Sequence, residues 1–230
     1  MKILAIDSTA VAASAAIIDD NKILAELTVN NGHTHSETLL PLVEKALYAA
    51  SLDIDSIDLF AVSAGPGSFT GVRIGISLIK GLCFKKNKPI AGVSSLEALS
   101  YNLKGFEGIA CPVMDARRNQ VYTAIFQNGQ RMTDDMLIPV SELEDMLKEY
   151  NTPIRFTGDG YDLALNSISL PYVTETPVRL RLQSAVSVAL CAKNNYEQNK
   201  NIFTDSEVQP IYLRASQAER ERNERIKENG

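Results

Sequence analysis

Two histidines and three cysteines in 230 residues leave little from which to build a metal centre. His33 and His35 offer two ligands where a zinc site needs more, and Glu37 alone would complete only a weak set. The pair therefore reads as polar loop residues ahead of a helix. Cys83, Cys111 and Cys191 are widely spaced among apolar neighbours, which favours buried reduced thiols over disulfides. A basic excess is also missing. With 28 acidic and 23 basic residues the formal charge is −5, which argues against a self-sufficient nucleic-acid binder; a partner would have to carry the positive charge. No apolar run approaches the roughly 20 residues of a membrane span, and the N-terminus lacks a basic-apolar-small leader pattern, so a cytoplasmic protein is expected.

What is present centres on residues 58–84. Leu59 to Ala64 is a short apolar run closed by Gly65, Pro66 and Gly67, as expected of a strand covered on both faces and then sharply reversed. Ser68 or Thr70 is placed to cap the helix that follows. Strand, glycine turn and helix N-terminus can form an anion site. The spacing is not that of a P-loop, because Gly71 is followed by Val72 and Arg73 rather than Lys and Ser or Thr. The dinucleotide pattern fails as well, with Thr70 where its third glycine belongs. Close packing is the favoured reading of the glycines, and phosphate binding stays open as the alternative.

The chain around this stretch is expected to be α/β. Lys2–Ile6, Ala13–Ile18 and Lys22–Val29 read as antiparallel strands, followed by an amphipathic helix at about 36–50, in which Pro41 suggests that regular helix begins near Leu40. The central strand and helix follow, then a strand at Pro89–Val93 and a serine-capped helix from Ser94. A second, leaner lobe begins after Gly105 to Gly108. It is expected to hold strands at 109–114, 121–126, 154–157 and 172–173, and helices at 141–150, 161–167 and 184–196, with Ser141 and Glu144 spaced as a capping box. The expected domains are 1–104, 105–214 and an alternating-charge tail at 215–230. An antiparallel meander extended by parallel strands with crossover helices is the lobe pattern of actin-like ATPase folds. In those folds an aspartate followed by hydroxyl residues, here Asp7-Ser8-Thr9, opens the phosphate site. Taken alone, the same turn reads as one held by Asx-type hydrogen bonds.

Several blocks in order resemble one family. These are residues 4–9 (Leu-Ala-Ile-Asp-Ser-Thr), 35–41 (His-Ser-Glu-Thr-Leu-Leu-Pro), 64–75 (Ala-Gly-Pro-Gly-Ser-Phe-Thr-Gly-Val-Arg-Ile-Gly), 94–99 (Ser-Ser-Leu-Glu-Ala-Leu), and Asp115-Ala116-Arg117-Arg118 with Val121-Tyr122. Together they resemble the TsaB family, formerly YeaZ, of glycoprotease-like bacterial proteins. The resemblance implies a two-lobed actin-like (ASKHA) fold with a reduced second lobe. It also implies a role in making N6-threonylcarbamoyladenosine at adenosine 37 of tRNAs that read codons starting with A. In that pathway the threonylcarbamoyl group passes from an AMP-activated form to the tRNA adenosine. The implied role is that of a non-catalytic partner of the TsaD transferase, with the ATPase TsaE binding the pair. A homodimer is implied in isolation, tRNA contact comes only through the complex, and no membrane is involved.

The resemblance also carries expectations for individual residues. The related transferase holds a metal through a His-x-x-x-His pair; aligning Glu97 with the glutamate between them puts Ser95 and Leu99 at the ligand positions, and leucine cannot ligate. The polar turn at Asp115–Arg118 would crowd a bound triphosphate. Asp7, Ser8, Gly65, Gly67 and Gly71 are candidates for residual nucleotide binding, with no cofactor expected unless the partner completes the site. Leu39, Leu40, Val43 and Leu47 on the first helix, with Val72, Ile76 and Ile79 on the second, are the expected partner-binding face. The competing hypothesis is an independent enzyme, a metalloprotease or an actin-like phosphotransferase, motivated by Asp7-Ser8-Thr9, the glycine turn, and His33 with His35.

Overall fold

The computed structural model describes residues 1–214 as two α/β lobes; the expected charged tail at 215–230 lies outside the described residues. The first lobe opens with β1 (Lys2–Asp7), β2 (Ala13–Asp19) and β3 (Lys22–Val29), an antiparallel meander. β4 (Leu59–Gly65) adds parallel to β1, and β5 (Ile90–Ser94) parallel to β4. Between them run α1 (His35–Ala50) and α2 (Phe69–Cys83), and α3 (Ser95–Tyr101) follows β5. β4 is buried throughout, as its unbroken apolar run requires, because helices cover both faces of the sheet.

Strand alternation divides the core. Leu4, Ile6, Phe60 and Val62 point to one face and meet Leu39, Val43, Ala46, Val72, Ile76 and Ile79 from α1 and α2. Ile3, Ala5, Leu59, Ala61, Ala91 and Val93 point to the other. There they meet Ala185, Val188, Ala189 and Ala192 of α6 (Ala185–Glu197). This corrects the expected boundary at 105–214: from Ala185 the chain returns to the first lobe. Its α6 covers that lobe's second face, and β12 (Ile202–Phe203) extends the sheet beside β5. The order is β12-β5-β4-β1-β2-β3.

The second lobe is correspondingly lean. β6 (Ile109–Asp115) is central, paired with β7 (Gln120–Thr123), β8 (Phe126–Gln127) and, in parallel, β11 (Ile154–Thr157). β9 (Gln130–Arg131) and β10 (Met136–Pro139) complete the sheet. α4 (Val140–Leu147) and α5 (Tyr161–Ser167) cover one face through Leu143, Leu147, Tyr161 and Ala164. Met114, Ala110, Ala124 and Phe126 instead meet Leu96, Leu99 and Leu103 of the first lobe.

Two local expectations change. α1 is regular from His35, with Pro41 inside it. The ring lies on the exposed side, where water can replace the hydrogen bond that proline omits. The capping box at Ser141 and Glu144 does not form, because the helix starts one residue earlier, after Pro139, and Glu144 instead accepts from the Ser169 N–H at 3.1 Å. The expected serine caps hold at Ser68 and Ser94, which accept from the N–H groups of Gly71 and Glu97. Ser184, expected inside its helix, is also a cap and accepts from the Ser187 N–H.

Candidate functional site

The residues singled out by sequence fall in two regions: the turn between the lobes, and helices α1 and α2, between which an outer groove runs. At the turn, Asp7 ends β1 and is almost fully buried. Its Oδ1 accepts from the backbone N–H of Thr9 at 2.9 Å and from the Thr9 hydroxyl at 2.8 Å, and its Oδ2 accepts from the Ser63 hydroxyl at 2.5 Å. Burial pushes the Asp7 carboxyl up, while the bonds from Ser63 and Thr9 pull against that shift. The buried Ser8 hydroxyl donates to the Gly71 carbonyl at 2.9 Å.

The glycines bring chain segments into contact. A Cβ on Gly71 would run into the Ser8 carbonyl, one on Gly67 into the Thr9 carbonyl, and one on Gly65, whose φ is +111°, into the Ile211 carbonyl. The Ser68 N–H donates to the Thr9 carbonyl at 2.7 Å, and the Gly71 N–H is taken by the Ser68 cap. Asp7, Ser8, Gly65, Gly67 and Gly71 therefore converge: Asp7 is held by Ser63 and Thr9, Ser8 by Gly71, and the glycines pack against the Ser8, Thr9 and Ile211 carbonyls. The carbonyls of Ser8, Thr9 and Ile211 stand where a side chain on Gly71, Gly67 or Gly65 would lie, so close packing accounts for the glycine at all three positions.

The cleft beside it is a cavity of about 330 Å³, lined by Thr9, Gly67, Met114, Asp115, Arg117 and Asp159 among others. Arg117 reaches back to Asp115 rather than across the cleft. Asp159 is pushed up to about 6, chiefly by burial; the bond from the Gln183 amide opposes the rise, and the negative charges of Asp115 and Asp7 add to it. Ser95 and Leu99 are buried, Leu99 in the cluster that joins the lobes. Among the described residues no group of three or more His, Cys, Asp or Glu side chains could hold a metal ion. His33 is exposed beside Glu37, while His35 Nε2 lies 2.7 Å from the Ala10 carbonyl. The three cysteines are free and buried, and burial lifts Cys83 and Cys111 to about 12, which keeps both as neutral thiols at physiological pH.

The groove is about 580 Å³, lined by Leu40 of α1 and Phe69, Arg73, Ile74 and Leu78 of α2, with His35 at one end. This revises the expected partner face. Val43, Val72, Ile76 and Ile79 are buried in the lobe's own core, because they are the stripe that meets β1 and β4, and Leu39, buried with them, also borders the groove. Leu40, at 42% exposed, lies on the outer side, and Leu47 is half-buried beside the core. The outer face of α2 belongs instead to a second stripe, Ile74, Leu78 and Leu82, spaced four residues apart.

Two six-stranded lobes, each a mixed sheet with helices, meeting at a cleft that opens with an Asp-Ser-Thr turn, define an actin-like protein. YeaZ from Pseudomonas aeruginosa superposes with a TM-score of 0.78 at 23% identity, over 92% of this chain and 99% of that one. The activator of 2-hydroxyisocaproyl-CoA dehydratase from Clostridium difficile, a structure with bound ADPNP, shares the fold at a TM-score of 0.51 and 10% identity, over 92% of this chain and 99% of that one. Residues 22–221 match the family described as TsaD, tRNA N6-adenosine threonylcarbamoyltransferase. The chain is also 32% identical to the tRNA threonylcarbamoyladenosine biosynthesis protein TsaB of Bacillus subtilis, over 95% of this chain and 96% of that protein. It belongs to the TsaB family of tRNA threonylcarbamoyladenosine biosynthesis proteins, within the wider group that shares the TsaD-type domain. No helix among the described residues is long and apolar enough to cross a membrane.

Proposed function

We propose that this chain acts in forming N6-threonylcarbamoyladenosine at adenosine 37 of tRNA as a non-catalytic partner and activator of a TsaD-type transferase. The observation that carries the proposal is the α1/α2 groove, an apolar channel on the outside of a lobe whose own core is already closed. A transferase of the same fold presents matching helices, and two such pairs can pack side by side. Each leucine-sized side chain covered there contributes about 2 kcal/mol before the costs of association. The turn chemistry supports a partner over an enzyme: Asp7 is taken up by Ser63 and Thr9 and Ser8 by Gly71, and Leu99 stands at a position where the resemblance puts a metal ligand of the transferase. In isolation the groove would serve a second copy of the chain. A TsaE-type ATPase joins the assembled pair, and tRNA is met only through the complex.

The test is reconstitution of the modification from purified components with and without this chain, together with co-purification of the Leu40→Asp and Leu78→Asp variants with the transferase. Modification that depends on the chain, and loss of co-purification in folded variants, are expected. Full modification without the chain would overturn the activator role, and unchanged co-purification would overturn the groove.

A further inference from the structure

The last described residues tie the groove to the other lobe. Val208 is fully buried in the first lobe's core, against the space that Gly92 leaves open. Three residues on, the Ile211 N–H donates to the Ala64 carbonyl at 2.7 Å, and its carbonyl fills the space beside Gly65. The Tyr212 ring then stacks on Phe69, with centroids 4.8 Å apart, and the Tyr212 hydroxyl accepts from Arg73 Nε at 2.8 Å. The Arg73 guanidinium itself lies 3.9 Å from the Phe69 ring centroid. Phe69 and Arg73 both line the groove. Two residues further, Arg214 enters the second lobe: Nη1 donates to the Ala116 carbonyl at 2.7 Å and Nη2 to Gln120 Oε1.

Arg214 thus holds both ends of the turn between β6 and β7. That turn carries three successive left-handed residues that are not glycine: Arg117, Arg118 and Asn119, with φ of 64°, 56° and 57°. Such backbone persists only where its surroundings enforce it. Inside the turn, Asp115 Oδ1 accepts from the Arg117 N–H at 2.7 Å and the Ala116 N–H donates to the Gln120 carbonyl at 3.0 Å. Arg214 is the contact that reaches it from the other lobe.

We propose that residues 208–214 form a clasp that couples the α1/α2 groove to the second lobe. Tyr212 fixes the Phe69 and Arg73 side chains at one end of the groove, and Arg214 fixes the β6–β7 turn. An extended span of two residues, about 7 Å, joins the two grips, which is too short to let one shift independently of the other. The clasped arrangement presents an aromatic-arginine rim of the kind that concentrates binding energy at interfaces, already held in place before a partner arrives. Coupling is reciprocal, so a partner seated against Phe69 and Arg73 tightens the hold on the second lobe, and loss of that hold weakens the partner. Only the binding half of the test rests on the reading of the groove given under Proposed function.

The experiment is hydrogen exchange on the full chain, wild type against Tyr212→Ala, Tyr212→Phe and Arg214→Ala. In Tyr212→Ala, exchange is expected to rise about tenfold or more in peptides covering residues 115–120 and Val140, whose N–H donates to the Asn119 carbonyl. Neither region touches Tyr212 among the contacts above. Tyr212→Phe keeps the stack and is expected to restore most of the protection. Changes confined to residues 69–73 and 208–214 would overturn the clasp. In the binding half, Arg214→Ala is expected to weaken the transferase complex about fivefold or more, although Arg214 lies outside the groove. Unchanged affinity would overturn the coupling and leave the groove reading intact. Failure of the wild type to bind would overturn the groove reading, and the exchange result would still decide the clasp.

Discussion

The Ser63 hydroxyl on β4 donates to the Asp7 carboxylate at the end of β1, at 2.5 Å, across two adjacent parallel strands. With the two bonds from Thr9, this makes Asp7 the acceptor for three donors in a site closed to solvent. Asp7→Ala therefore strands buried donors on β4 and in the turn after β1, each costing about 1–3 kcal/mol. The expected outcome is a loss of roughly 3 kcal/mol or more in urea unfolding of the isolated protein. An aspartate kept only for a ligand would leave the midpoint unchanged or raise it.

Gly71 and Gly81 lie on the same helix and are expected to respond in opposite directions. Alanine favours helix over glycine by about 1 kcal/mol, and at Gly81 no atom stands within reach of the new methyl. Gly81→Ala should therefore raise stability by about 0.5–1 kcal/mol. At Gly71 the methyl meets the Ser8 backbone carbonyl, which cannot turn aside as a side chain can. Gly71→Ala should lower stability by about 1–3 kcal/mol despite the propensity gain. Thermal melts of the two variants side by side give the comparison, and equal stabilisation would show that the glycine turn is not a packing device.

Ile76 and Leu40 separate core from rim. Ile76 is 4% exposed in the core of the first lobe. An aspartate there must lose its charge or open the core, at a cost of several kcal/mol. Ile76→Asp is expected to unfold or aggregate, so lost binding in that variant says nothing about an interface. Leu40→Asp, on the outer face of α1, is expected to melt within about 1 kcal/mol of wild type. Circular dichroism melts run before any binding assay check this.

Much of the molecule follows from periodicity. The three-strand meander, the buried β4, α2 with its Ser68 cap, β11 and α5 lie within a residue or two of where alternation and turn residues put them. What sequence pattern does not carry is which sheet a helix covers. The small apolar side chains of α6 suit either lobe, and only the return of the chain places Ala185, Ala189 and Ala192 on Ile3, Ala5 and Ala61. The same limit applies to the expected partner face: Val72, Ile76 and Ile79 of α2 turn inward while Ile74 and Leu78 border the groove, and hydrophobicity alone does not say which stripe faces which way. Residues 208–214 have no period at all, since their role comes from backbone contacts to Ala64 and from Tyr212 and Arg214 meeting groups more than 90 residues away in sequence.

The last prediction concerns pH. Asp159 has a folded-state value of about 6 against an ordinary 3.8, because burial disfavours its charge. Between these values the native state holds the proton more tightly than the unfolded chain does. This group's contribution to stability therefore falls as pH rises from about 4 to about 6, by roughly 3 kcal/mol in total, and stays low above that range. Asp159→Asn removes the titration while keeping an oxygen that can accept from Gln183 Nε2, now at 3.3 Å from Asp159 Oδ1. Its new amide can also donate to Gln183 Oε1, which is buried without a partner among the described residues. The variant is expected to be more stable than wild type at pH 7.5 and to lose that advantage at pH 4.5, a crossover read from urea unfolding at the two pH values. Equal stability differences at both would show that Asp159 does not titrate in this range. Because Gln183 lies on the strand of chain returning from the second lobe to α6, the same substitution should also slow hydrogen exchange at the Gly158 N–H, which donates to the Arg181 carbonyl on that segment.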